Sequence, residues 1–154
     1  MTRNKAIFLA AGGSMALLIS VWIFQALGYP PCKLCVYQRW PHGVAVAIGV
    51  VALLIPLAVL PFLGALAALV TAGIGIYHTG VERDWWEGPT TCTSGDISGI
   101  SPDQLLNRIL DAPLIRCDEV SWQFLSLSMA SWNVLVSLAL AGIWLWAWRL
   151  TRTP

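Results

Sequence analysis

The stretch HGVAVAIGVVALLIPLAVLPFLGALAALVTAGIGIYHTG, residues 42–80, carries no charged side chain. As one helix rising about 1.5 Å per residue, it would be almost twice as long as the roughly 30 Å hydrocarbon core of a bilayer. Pro56 and Pro61 interrupt it near the middle, and proline does not continue a helix interior. The stretch therefore reads as two membrane helices, 42–60 and 61–80, joined by a tight hairpin. Two further uncharged apolar runs lie outside it, at 6–27 and 129–148. The expected fold is an all-α membrane protein, a four-transmembrane-helix bundle forming one unit over residues 1–154.

Composition agrees. The chain is 57% hydrophobic and only 11% charged, too few charges for a soluble domain of this length. The net charge of +1 comes without a basic run, so nucleic acid is not an expected partner. Arg3 and Lys5 followed by the first apolar run could be taken for a signal peptide. That run is longer than a signal core, and no small-x-small cleavage site precedes Tyr29-Pro30-Pro31.

Charge placement orients the bundle. Arg3, Lys5, Arg149 and Arg152 sit in the two tails, while every acidic residue falls between Glu82 and Glu119. Four crossings bring both tails to one side, and the positive-inside rule makes that side cytoplasmic. Loops 28–41 and 81–128 then face outward, and all four cysteines fall in them. Lys33 and Arg39 run against this orientation and call for a local reason.

The outer loops hold the chemistry. Tyr29-Pro30-Pro31 ends the first helix. Cys32-Lys33-Leu34-Cys35 follows, a CxxC pair whose sulfurs lie one helical turn apart and form an exchange-prone disulfide. Cys35 is expected near the start of the second helix, where the helix N-terminus lowers a thiol pKa. Arg39, four residues on, shares its face. It can favour a Cys35 thiolate and polarise a carbonyl oxygen, which gives an outer-face cation a reason. Lys33 inside the motif also favours thiolate.

Cys92 and Cys117 are 25 positions apart in the long loop. A disulfide between them would stabilise by about 3 kcal/mol through chain entropy alone. It can be a staple, or it can exchange with the CxxC through a mixed disulfide. A zinc site from all four cysteines is disfavoured because the second pair is not a CxxC. Covalent haem needs CxxCH, and Val36 follows the motif. No metal is expected. His78, in Tyr-His-Thr-Gly at the end of the third run, is a candidate for hydrogen bonding to a carbonyl or for proton uptake. A satisfied helix-end histidine is the alternative, and His42 has no assigned role.

Ser101-Pro102-Asp103-Gln104 resembles a helix start, and Leu105, Leu106, Ile109 and Leu110 then share a face. A short amphipathic helix is expected there, lying on the membrane or on the protein. Trp85, Trp86, Trp122 and Trp132 are expected in an outer aromatic belt. Trp144, Trp146 and Trp148 are expected in an inner one. Gly12, Gly13, Gly73 and Gly75 are expected to permit close helix packing.

Cys-x-x-Cys-x-Tyr-x-Arg, Cys32 to Arg39, resembles the DsbB family of bacterial disulfide-generating membrane proteins. So do the stretch from Tyr77 to Pro89, the segment Cys117-Asp-Glu-Val-Ser-Trp-Gln-Phe-Leu, and the order of helices and cysteine pairs. The resemblance covers almost the whole chain. It implies an inner-membrane enzyme with its cysteines in the periplasm. Cys92 and Cys117 would form the disulfide attacked by a reduced periplasmic thioredoxin-fold oxidase, DsbA, with Cys92 taking the mixed disulfide. Cys117 would exchange with Cys32, and Cys35 would face ubiquinone or menaquinone from the membrane quinone pool. Arg39 and His78 match family residues near the quinone. Two rivals remain. One is a vitamin K epoxide reductase type of enzyme, disfavoured because its CxxC lies in the last helix. The other is a non-enzymatic scaffold braced by disulfides.

Overall fold

The computed structural model describes residues 1–93, 110 and 115–152. Four helices form the bundle: α1 (Arg3–Ala26), α2 (Lys33–Leu54), α3 (Val59–Glu82) and α4 (Met129–Arg152). A two-stranded antiparallel hairpin, β1 (Gln123–Phe124) and β2 (Leu127–Ser128), leads directly into α4. Its turn residues Leu125 and Ser126 both take positive φ, 50° and 61°, as a two-residue hairpin turn requires. This hairpin was not anticipated. The amphipathic helix expected after Ser101 falls outside the described residues, apart from Leu110.

Helices α1, α3 and α4 are long and apolar enough to cross a membrane. The second helix begins at Lys33, so Cys35 lies in its first turn as expected, while most of the segment 28–41 expected as a loop before the apolar run at His42 is helical. Hydropathy marks only the part of a helix that lipid accepts, and the first turns of α2 carry Lys33, Gln38, Arg39 and His42. The helix starts where it does because Cys32 caps it: the Cys32 sulfur accepts the backbone N–H of Cys35 at 3.2 Å. Pro41 lies inside α2, and the Thr71 hydroxyl donates to the Gln38 carbonyl at 2.9 Å in the turn that proline disturbs.

Of the two prolines expected to break the central hairpin, Pro56 does so in the link between α2 and α3. Pro61 instead occupies the first turn of α3, where a missing N–H costs nothing. The helices run up and down in turn. α3 packs on α2 and α4, and α1 packs on the same two. At the tail end, the Arg3 guanidinium donates to the Ala52 carbonyl at 2.8 Å, tying α1 to the end of α2. Outward faces carry large apolar side chains such as Phe8, Trp40, Leu54 and Val70, as a lipid-facing surface would.

The inner core is built from alanines, among them Ala6, Ala10, Ala52, Ala65, Ala68 and Ala141, packed around Trp144. Trp144 is 0% exposed, so it belongs to the core and not to an inner belt. Gly64 makes room for it: a Cβ there would come within 2.6 Å of the indole ring. Gly13 and Gly75 likewise face side chains of α4, Leu140 and Val134. Gly12 and Gly73 face open space and do not serve helix packing. Gly64→Val should therefore lose about 1–3 kcal/mol through overpacking. Gly73→Ala should hold or raise stability, since alanine is the better helix former. Thermal unfolding of each variant in detergent, followed by circular dichroism, checks both directions.

Candidate functional site

The cysteines meet where α1 ends, α2 begins and α3 ends. Cys32 and Cys35 are free thiols, with their sulfurs 2.9 Å apart. Cys32 Sγ receives three contacts. The Cys35 thiol donates to it, the Cys35 backbone N–H donates to it, and His78 Nε2 stands 3.5 Å away. These bonds favour the thiolate, that from the Cys35 thiol most strongly, and outweigh burial. They bring Cys32 from its ordinary 9.0 down to about 4. Cys35 moves the opposite way, raised by donating to Cys32 and by burial. Expectation placed the thiolate on Cys35. In this arrangement Cys32, in the capping position, is the sulfur that accepts, and the Cys35 thiol that donates to it favours the charge there.

Arg39 does not act on either cysteine as expected. It lies in the same wall as Cys35, but its Nη1 donates to Gln25 Oε1 on α1 at 3.1 Å. Its Nε is buried and has no partner.

Cys92 and Cys117 form a disulfide. The Cys117 N–H also donates to the Cys92 carbonyl at 2.6 Å. Both residues are buried, and they share one apolar cluster with Cys32, Leu34 and Val81, against which Cys35 and Ile115 pack. The two cysteine pairs are thus neighbours, with Cys32 facing the loop disulfide.

A cavity of about 350 Å³ opens beside them. Apolar residues of α1 and α4, including Leu17, Val21, Phe24 and Val136, form much of its wall, with Trp122 and Phe124 near the hairpin. Cys32, Cys35, Arg39 and His78 line it together. Of the six residues singled out in the sequence, four border this cavity and the other two form the disulfide behind Cys32. The sequence reading missed Gln38, Glu82 and Asn133, and left His42 unassigned; all four line the cavity. A signal existed for Asn133, an amide inside an apolar helix, because polar residues in such segments are costly and seldom idle.

The buried polar groups join in a chain. His78 Nδ1 bonds Gln38 Nε2 at 2.8 Å, Gln38 Oε1 accepts from Asn133 Nδ2 at 2.7 Å, and Asn133 Oδ1 bonds His42 Nε2 at 2.9 Å. His78, 2% exposed and near the end of α3, is hydrogen-bonded within this chain. The ligand atoms of Cys32, Cys35 and His78 all lie within 4.8 Å of one another. A tetrahedral zinc with bonds of about 2.3 Å would hold its sulfurs about 3.8 Å apart. At 2.9 Å this pair is drawn together for disulfide closure.

Comparison with known proteins agrees with this geometry. The family model described as "Disulfide bond formation protein DsbB" matches residues 3–147. The chain belongs to the DsbB family. Among curated relatives, a "Disulfide bond formation protein B" of Xanthomonas oryzae pv. oryzae is 33% identical, over 91% of this chain and 83% of its own. That of Pasteurella multocida is 29% identical, over 88% and 79%. "Disulfide bond formation protein B 2" of Pseudomonas syringae pv. syringae is 28% identical, over 92% and 86%. No solved structure matches the chain with significance. Membership in the DsbB family makes this protein a membrane oxidoreductase of disulfide bond formation.

The stabilisation that the Cys32 thiolate lends the dithiol form is complete above the ordinary thiol pKa near 9 and is lost as pH falls to about 4. With the CxxC reduced, thiolate absorbance near 240 nm should persist at neutral pH and disappear only towards pH 4. Cys35→Ala removes the strongest donor and should move that loss to higher pH. An unchanged midpoint would mean that the Cys35 thiol is not what stabilises the Cys32 thiolate.

Proposed function

We propose that this protein oxidises a reduced DsbA-like periplasmic dithiol protein and passes the electrons through its two cysteine pairs to a membrane quinone. One observation carries the reading. Cys32 shares one buried apolar cluster with the loop disulfide and, with Cys35, walls an apolar cavity. A staple needs no such neighbour, and a non-enzymatic scaffold needs no cavity lined by thiols, Arg39 and His78. The run that begins at His42 lies mostly within α2, and on this reading α2 crosses the bacterial inner membrane with the other three helices as one membrane unit. The basic tails lie in the cytoplasm and the cysteines in the periplasm.

Each exchange step balances. A partner thiolate attacks Cys92, forms a mixed disulfide and releases Cys117 as thiolate. Cys117 attacks Cys32 of the oxidised CxxC and releases Cys35 as thiolate. The partner's second thiol attacks its own mixed disulfide, so the partner leaves oxidised and Cys92 is freed. Cys92 then attacks Cys117, restores the loop disulfide and releases Cys32 as thiolate. The arrangement in the structure, a loop disulfide beside a reduced CxxC, corresponds to the end of that sequence. Cys32 is a good leaving group because the Cys35 thiol, His78 and the Cys35 backbone N–H all favour its thiolate. Cys92 and Cys117 are 1% and 0% exposed, so a partner thiolate reaches them only after a local rearrangement.

The cavity suits a quinone head group. Its wall is mostly apolar, and the unpartnered Arg39 Nε offers a donor for a carbonyl oxygen. Cys35 and His78 complete the set that would hold it. A quinone, ubiquinone or menaquinone, would accept two electrons and two protons there: closing the pair to a disulfide gives both electrons and the Cys35 proton, and, with Cys32 already a thiolate, the second proton comes from the medium. Cys35 gains its reactivity when Cys32 is bonded to Cys117, because the neighbouring thiolate that keeps it protonated is then gone.

Loss of quinone absorbance on adding reduced DsbA to purified protein in detergent tests the reading. Cys35→Ser should abolish it, and Cys92→Ser or Cys117→Ser should slow it by orders of magnitude. Arg39→Ala should weaken quinone use about tenfold or more while leaving thiol exchange intact, as expected for one lost charge-assisted donor. Full activity in both loop-cysteine variants would reduce the loop pair to a staple.

A further inference from the structure

The chain of buried side chains behind His78 has a direction, and one hydroxyl fixes it. Thr71 Oγ1 spends its proton on the Gln38 carbonyl at 2.9 Å. Its lone pairs are left to accept, and Asn133 Nδ2 stands 3.1 Å from it. Reversing the Asn133 amide would set oxygen against oxygen. With Nδ2 held there, it also donates to Gln38 Oε1 at 2.7 Å, which turns Gln38 Nε2 toward His78 Nδ1 at 2.8 Å. The Leu34 carbonyl, 3.4 Å from Gln38 Nε2, supports the same setting. At the far end, Asn133 Oδ1 can only accept, so His42 Nε2 must carry the proton. Ser137 Oγ donates to the same Oδ1 at 3.4 Å.

The geometry points to Thr71 and Asn133 as positioning residues that set the tautomer of His78, leaving Nδ1 bare and Nε2–H directed at Cys32 Sγ. The inference rests on the site proposed above, in which Cys32 must depart as thiolate. A neutral imidazole could place its proton on either nitrogen, and only the Nε2–H form offers that sulfur a donor. The residues that decide lie on α2, α3 and α4, so the chemistry at the cysteines is coupled to the packing of three helices. Thr71, the residue that fixes the direction, is 0% exposed and does not line the cavity.

Two histidines in the whole chain make the test direct. The ¹⁵N spectrum of histidine-labelled, dithiothreitol-reduced protein in detergent, with no quinone or partner present, reads the protonation of each ring nitrogen, and His78→Asn assigns the signals. In the wild type both rings should show a protonated Nε2 and a bare Nδ1. Thr71→Val frees the Asn133 amide, and both histidines should shift together toward a mixture of tautomers. Thr71→Ser should restore the wild-type pattern, and Asn133→Leu should release His78 from the chain. A wild-type His78 protonated on Nδ1 or on both nitrogens would overturn the inference. So would a Thr71→Val protein of native helicity with one ring or neither altered. Because nothing in the measurement depends on quinone reduction, its failure would leave the proposed electron route standing.

Discussion

The contact on which this molecule depends is the cap that Cys32 places on α2. A sulfur that accepts the Cys35 backbone N–H starts the helix, and the same sulfur is made acidic chiefly by the Cys35 thiol, with smaller help from His78 and from that backbone N–H. The first turn of α2 thus serves both helix initiation and thiolate formation. Because α2 starts there, Cys35, Gln38, Arg39 and His42 fall on helical turns that reach the cavity. Loss of the capping geometry would remove the reactive thiol and the register of the polar residues together. The reactive sulfur therefore sits on a rigid element.

Around this point the fold supplies two different surroundings. Toward the loop, Cys32 meets a buried disulfide within an apolar cluster. Toward α1 and α4 it meets a cavity with apolar walls and a few polar groups. A dithiol with access to both can take electrons from one face and deliver them to the other without moving far. The alanine core around Trp144 lies away from this chemistry and holds the helices close. Small side chains in the core and a polar chain near the site divide the bundle into a packing half and a reacting half.

Much of this was legible in the sequence. Apolar runs give the crossings, since lipid leaves few ways to satisfy a backbone. The spacing of CxxC and Arg39 gives a shared helical face, and both do line one cavity. What failed to show had physical causes. Hydropathy could not find the start of α2, because a helix leaves lipid without ceasing to be a helix. That Cys32 is favoured as thiolate in this arrangement rests on the Cys35 thiol donating to it, a contact that sequence spacing does not reveal. Trp144 was misplaced because an indole near a helix end suits a belt or a core equally well, and Gly64 across the bundle decides between them. Gln38, Asn133 and Thr71 come from three helices, and no local spacing reveals that they meet.

The account's central claim is that Cys32 exchanges directly with Cys117. A variant carrying Cys35→Ser and Cys92→Ser leaves only those two sulfurs. Under mild oxidation in detergent, non-reducing peptide mapping by mass spectrometry should then find Cys32 joined to Cys117 in nearly every molecule. If both thiols stay free, or pair only between molecules, the two cysteine pairs do not communicate and the proposed electron route is wrong.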